Sequence, residues 1–230
     1  MTTFLQIAID GPAASGKSTV ARMLAKRLHG FYVNTGDMYR TIAHVCLQRQ
    51  IDAASQPQLV AAALDSLDLR YAVADDGEHL QLRLNGEDVR QEDIRRPEVA
   101  AIVSHVAKIP AVRAWMLERQ RDCRSLGLII MEGRDIGTVV LPEAKFKFFV
   151  TATPLERARR RFAQSGETAA GATLEQVARE IAERDRIDST REVAPLRPAP
   201  GSVTIVTDGM TPEQVVEQIA RQVEVEACRL

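Results

Sequence analysis

Residues 11–18 read Gly11-Pro12-Ala13-Ala14-Ser15-Gly16-Lys17-Ser18 and satisfy Gly-x4-Gly-Lys-Ser/Thr at every fixed position. The chemistry this spacing serves is the holding of a triphosphate. Glycines let the backbone wrap closely, with its N–H groups turned inward. The helix that follows adds the positive end of its dipole. In such a loop Lys17 reaches the β- and γ-phosphates, the Ser18 hydroxyl ligates Mg²⁺, and Thr19 supports the α-phosphate. A glycine-rich turn with no ligand could share the composition. It would not share every fixed position together with a short apolar run before (residues 4–9) and helical spacing after (residues 18–28). ATP with Mg²⁺ is the expected donor, held by residues 11–19.

Other candidate residues are arginines and aspartates. Of 30 basic residues only five are lysines. Arginine forms planar bidentate pairs with phosphate and carboxylate, although codon bias alone can enrich it. Position must therefore select the functional ones. Arg134 and Asp135 follow an apolar run at 128–131, which puts them at the carboxyl end of a strand, where ligands bind in open α/β sheets. A strand-end salt bridge is the plain alternative. Arg184, Asp188 and Arg191 stand at i, i+4 and i+7, one helix face if the helix continues. A surface ion-pair ladder has the same spacing and is the more frequent cause of it. Arg157 and Arg161 are also i, i+4, with Arg159 and Arg160 read as lying on other faces. A solvated basic helix competes there.

The elements that must position these groups alternate. Strands are predicted at 4–9, 31–33, 128–131, 146–150 and 203–206. Helices are predicted at 18–28, 38–48, 58–67, 97–108, 111–126, 155–164, 174–188 and 212–225. Between 68 and 90 the period changes to two, with Asp75-Asp76-Gly77 and Asn85-Gly86 as turn signals. That region reads as a small antiparallel meander. Alternation elsewhere predicts a three-layer α/β fold with a central parallel sheet. The Gly/Ala/Thr-rich stretch 165–173 is the expected mobile joint of a lid, ordered when nucleotides bind. There are no repeats.

A small chain with this loop and scattered arginine sites suits a kinase, in which arginines clamp phosphates for in-line transfer. No Asn-Lys-x-Asp guanine-reading motif occurs, and 230 residues is short for a motor. The chain also resembles the bacterial cytidylate kinases, almost from end to end. The resemblance is carried by the loop at 11–18, by Asn34-Thr35-Gly36-Asp37-Met38-Tyr39-Arg40, by Ser104 and Arg113, by Glu132-Gly133-Arg134-Asp135-Ile136-Gly137-Thr138, and by residues 183–191 followed by Ala194-Pro195-Leu196. It implies the P-loop kinase fold and ATP-dependent phosphorylation of CMP, with dCMP as a second acceptor. Thr35 lies in the implied acceptor segment, and Arg40 and Arg134 are implied to hold the acceptor phosphate. Ser104, Arg113, Asp135 and Arg191 are implied around the cytosine. Arg184 and Asp188 would reach ribose or phosphate. Lys17, Arg134, Arg157 and Arg161 are the implied catalytic cations, the last two in a lid at 155–190. Residues 34–110 would form a monophosphate-binding insert within one kinase domain spanning 1–230. Three positions depart from the family pattern. Asn34 replaces a usual Asp, Asp37 a usual small residue, and Val206-Thr207 a usual Asp-Thr or Asp-Ser. Asp37 adds negative charge near an incoming phosphate, so its side chain is expected to point away or to help bind metal.

Cytosine offers an exocyclic amine beside a ring acceptor and a carbonyl, so a selective pocket needs a carboxylate and a donor. Asp135 with Arg113 or Arg191 could supply both. Competing readings are another small P-loop kinase (UMP, AMP or a small alcohol as acceptor) and a nucleotide-gated regulatory module. A nucleic-acid binder using Arg157–Arg161 is disfavoured by a net charge of −1 and by the lack of interleaved aromatics. Three scattered cysteines suggest neither zinc nor disulfides. With no signal peptide or membrane span legible, a cytoplasmic monomer without membrane or nucleic-acid partners is expected.

Overall fold

The computed structural model describes residues 5–163 and 171–227. Five strands form one parallel sheet in the order β2-β6-β1-β7-β8. They are β1 (Gln6–Asp10), β2 (Phe31–Asn34), β6 (Ile129–Gly133), β7 (Phe146–Thr151) and β8 (Val203–Val206). Central β1 pairs Asp10 with Gly133 on one side and with Phe149 on the other. The ends of β1 and β6 therefore open at one level, and the residues that follow them meet there. Strands buried on both faces must be apolar throughout, as Ile7, Ala8, Ile9, Ile129, Ile130 and Met131 are, each 0% exposed.

Two cores flank the sheet. One joins β1 and β7 to α1 (Lys17–Arg27) and α9 (Pro212–Ala227), through Leu24, Ile219 and Val223. The other packs Val33, Met131, Ile136 and Leu141 beneath Cys123. A third core lies within one stretch of chain, from Met38 to Met116. It gathers α2 (Thr35–Gln48), α3 (Pro57–Leu64), α5 (Pro97–Lys108) and α6 (Pro110–Asp122) around the sheet of β3 (Leu69–Val73), β4 (Leu80–Leu84) and β5 (Glu87–Asp88). The β4–β5 hairpin turns on Asn85-Gly86, both at positive φ, as a two-residue primed turn requires. Helices α7 (Pro154–Phe162) and α8 (Leu174–Thr190) pack together through Ala158, Val177 and Ile181. Among the described residues no single helix is long and apolar enough to cross a membrane.

Several boundaries depart from the sequence expectation. Helix α2 begins three residues early, because the Asn34 side chain caps it by accepting from the Asp37 N–H at 3.3 Å. A short helix, α4 (Gln91–Ile94), had no periodic signal. Chain 111–126 divides into α6 and a 3₁₀ turn at Cys123–Leu126. A single π turn occupies Ile136–Val140, where no element was expected. Helix α8 stops at Thr190, leaving Arg191 just beyond it in extended conformation. Most of the expected joint at 165–173 falls in residues 164–170, outside the described residues.

Candidate active site

A cleft of about 1530 Å³ runs past the loop after β1, the start of α2, the end of β6 and the facing sides of α7 and α8. Gly11 is forced by close approach, since a Cβ there would lie 2.0 Å from the Val150 carbonyl oxygen of β7. Residues Ala13 to Thr19 line the cleft, whereas Gly11 and Pro12 lie behind it. The Lys17 ammonium donates to the Pro12 carbonyl at 3.0 Å and sits 3.8 Å from Glu132. Burial, then the nearby Arg134 charge, push its pKa down from 10.5 to about 7.

Glu132, the fourth residue of β6, was not singled out from sequence. Its Oε1 accepts from Ser18 Oγ at 2.7 Å and from the Tyr32 hydroxyl at 3.2 Å. Among the described residues no group of three His, Cys, Asp or Glu could hold a metal. Ser18 and Glu132 nonetheless offer a hydroxyl and a carboxylate side by side. That pair suits Mg²⁺, which takes few protein oxygens and keeps its waters and substrate phosphates.

The basic residues converge. Arg40, Arg134, Arg161 and Arg184 line the cleft, as does Arg95 from just after α4. Burial and mutual repulsion depress three of them, Arg40, Arg161 and Arg184. Burial and then neighbouring Arg95 lower Arg40 to about 10. Burial and then Arg40 and Arg134 lower Arg161 to about 10. Arg184 is lowered further still by burial, Arg134 and Arg40, and its Nε is buried without a hydrogen-bond partner in the structure. Against these cations stand four buried carboxylates, Asp37, Glu132, Asp135 and Asp188. An excess of buried positive charge with an orphaned donor is what a site for several phosphates needs.

Asp188 takes Arg134 Nε at 2.8 Å. Burial alone would raise its pKa, but Arg134, Arg184 and Arg191 outweigh this and hold it below the usual carboxylate range. At the far end Asp135 is gripped twice, by Arg113 on Oδ2 and by Arg191 on Oδ1 at 3.2 Å. Asp135, Arg191 and Ser104 line the cleft, and Arg113 stands behind it, against the lining residues Asp135, Ala107 and Tyr39. Thr35 donates to the Glu132 carbonyl at 2.8 Å and also lines it.

Three placements differ from expectation. Arg157 is buried behind the P-loop and not on the cleft. It donates to the Ala13 carbonyl at 3.1 Å and pairs with Asp185, which in turn accepts from the Ala13 N–H at 3.3 Å. Arg160, read as lying on another face, is on the cleft instead. It donates to Ser15 O at 3.2 Å and to Thr207 O at 2.9 Å. At i+3 from Arg157 and next to Arg161, it belongs to the same half of α7, so helical spacing leaves it a candidate beside them without choosing among the three. Asp37 neither points away nor stands alone. It faces the cleft and accepts from Arg95 Nη2 at 2.5 Å and from Gln91 Nε2 at 3.1 Å. Neither Gln91 nor Arg95 carried any sequence signal.

Comparison with known proteins agrees in one direction. The family model described as cytidylate kinase matches residues 7–225. The cytidylate kinase of Pelotomaculum thermopropionicum is 47% identical over 224 residues, covering 97% of each chain. That of Limosilactobacillus fermentum is 45% identical, again over 97% of each. Among solved structures, an uncharacterised protein from Eubacterium ventriosum superposes with a TM-score of 0.51 at 10% identity, over 96% of this chain and 98% of its own. That last likeness speaks for the fold alone.

Proposed function

This chain belongs to the cytidylate kinase family, and from that premise we propose that it transfers the γ-phosphoryl group of ATP to CMP, yielding ADP and CDP, with dCMP as a second acceptor. One observation carries the reading. The P-loop and an Asp135 held between two arginines line one cleft, together with Arg40, Arg95, Arg134, Arg160, Arg161 and Arg184.

The roles follow from position. Residues 13–19 hold the donor phosphates, with Gly11 and Pro12 shaping the loop from behind. Arg40, Arg134 and Arg184 take the acceptor phosphate. Asp188 orients Arg134 and lies within reach of the ribose. Asp135 accepts from the cytosine amine, and Arg191, Arg113 and Ser104 complete the base site. An anionic oxygen of CMP attacks the γ-phosphorus in line, and the bond from that phosphorus to the β-bridging oxygen breaks. No general base is needed, because the attacking oxygen is already charged. Lys17 and Arg161 stabilise charge on the transferring group. Ser18, with Glu132 beside it, would hold Mg²⁺, which when bound would supply further neutralisation of phosphate charge.

In this reading residues 34–110 form the acceptor insert, and 155–190 a lid that excludes water on closing. The enzyme acts in this reading as a cytoplasmic monomer. Coupled ADP release with CMP, dCMP, UMP, AMP and GMP tests the proposal. Expected is strong preference for CMP and dCMP. Equal kcat/KM for UMP and CMP would overturn the cytosine reading, and ATP turnover indifferent to any acceptor would overturn the kinase reading.

A further inference from the structure

Asp10 closes β1 and is 1% exposed, yet no step above uses it. Both of its oxygens are spent on one piece of backbone. Oδ1 accepts from the Ile136 N–H at 2.7 Å, and Oδ2 from the Gly137 N–H at 2.8 Å. These amides open the π turn, directly after Asp135. The same turn is closed from within, since the Asp135 carbonyl accepts from the Val139 and Val140 N–H groups at 2.9 and 3.2 Å.

The choice of a carboxylate has a reason. An ionised carboxylate is costly to bury, and burial drives the Asp10 pKa up to about 7. A hydroxyl or an amide would be cheaper. Only a carboxylate, however, offers two acceptor oxygens to two successive N–H donors. Close approach is also prepared on the other side. A Cβ on Gly137 would stand 3.4 Å from Asp10 Oδ2 and 3.0 Å from the Ala199 Cβ. The tight contact is the one with Ala199, so a side chain at 137 would press on the turn whose amides Asp10 holds.

We propose that Asp10 is a positioning residue for acceptor specificity, fixing the Asp135 carboxylate through the backbone of Ile136 and Gly137. The inference rests on the reading that Asp135 meets the cytosine amine. Arg113 and Arg191 hold the Asp135 side chain, and Asp10 holds its main chain. Slack in either lets the carboxylate drift from the amine. A misplacement of about 1 Å can cost on the order of 10²-fold in rate.

The test uses two variants of the full chain. Asp10→Asn keeps size but turns an N–H₂ group against one of the two amides. Gly137→Ala keeps Asp10 and shifts the turn it holds, by pressing the new Cβ against Ala199. Melting temperature and calorimetric affinity for ATP and CMP accompany kcat/KM on CMP and UMP. Expected is a fall of roughly tenfold or more in the CMP/UMP ratio in both variants, with ATP affinity within about twofold of the unmodified enzyme. A merely structural role would lower the melting temperature and both activities together while leaving the ratio intact. An unmodified enzyme that discriminates, with Gly137→Ala or a folded Asp10→Asn retaining that ratio, overturns the inference alone. An unmodified enzyme indifferent between CMP and UMP overturns the acceptor reading and the inference with it.

Discussion

Lys17 carries an unusual burden for an ammonium group, since it is buried among arginines with Glu132 as its nearest anion. Without a nucleotide its pKa falls to about 7. A triphosphate brings negative charge and should return it toward 10.5. The sign follows directly. At pH 8 most free enzyme has Lys17 neutral and the complex has it charged, so ATP binding should take up close to one proton. At pH 6 both are charged and uptake should vanish. Calorimetry of ATP binding in two buffers of different ionisation enthalpy reads this, and zero uptake at pH 8 would contradict it. Lys17→Ala should fold normally and lose about 10²–10³ in kcat or more. A folded variant with near-normal turnover would sink the P-loop assignment. Asp135→Ala should cut CMP phosphorylation far more than ATP affinity, and equal damage to both would put Asp135 on the donor side. The P-loop was legible because each fixed residue does a local job at a fixed spacing. Glu132 was not, since its partner Ser18 lies 114 residues away and only the pairing of β1 with β6 brings them together.

Helix α4 shows what an element of four residues can contribute. Gln91 opens it and Arg95 follows it one turn later, with Arg95 Nε donating to Gln91 Oε1 at 3.1 Å. Both then donate to Asp37 at the start of α2, closing a ring of three side chains at the cleft. The ring turns a carboxylate that would repel an acceptor phosphate into the seat of another arginine. Arg95→Ala should therefore lower kcat/KM for CMP by about 10–100-fold, on the scale of a lost hydrogen bond to a charged group. Unchanged CMP kinetics would make the ring purely structural. Helix α7 makes the opposite case, because Arg157 braces the P-loop from outside through Ala13 and Asp185. Arg157 is buried and its pairing with Asp185 is partly so, and its guanidinium also ties Ala13 to the end of β7, so Arg157→Ala should lower the melting temperature. Lost turnover at an unchanged melting temperature would instead put Arg157 in contact with nucleotide. Spacing along α7 was readable, but which arginine faces the loop depends on how α7 docks on α8, and sequence does not carry that angle. The π turn was invisible for a similar reason. Its hydrogen bonds are local, but its stabilising partner Asp10 is 126 residues away.

On the scale of the whole molecule, hydrophobic period alone gave the parallel sheet and its two helical layers, since buried strands and amphipathic helices differ in pattern. It also gave the meander, whose turns are written in Asn85-Gly86. Strand order and the meeting of distant loops were set by pairing that no single segment reveals. The separateness of the cores carries a further consequence, in the chemistry of sulfur. Cys46 is 0% exposed within the core spanning Met38 to Met116, and Cys123 is 2% exposed in the core beneath the sheet. Burial lifts their thiols to about 11 and about 12, and only a thiolate reacts readily. In the closed molecule both sulfurs should be inert, so each becomes a clock that starts when its own core opens. In a Cys228→Ser background, alkylation followed by mass spectrometry would time the two openings separately in one tube. If the Met38–Met116 core opens as its own cooperative unit, Cys46 should be labelled well ahead of Cys123, and saturating CMP should slow Cys46 more than Cys123. Identical labelling rates under all conditions would mean that the chain opens only as a whole.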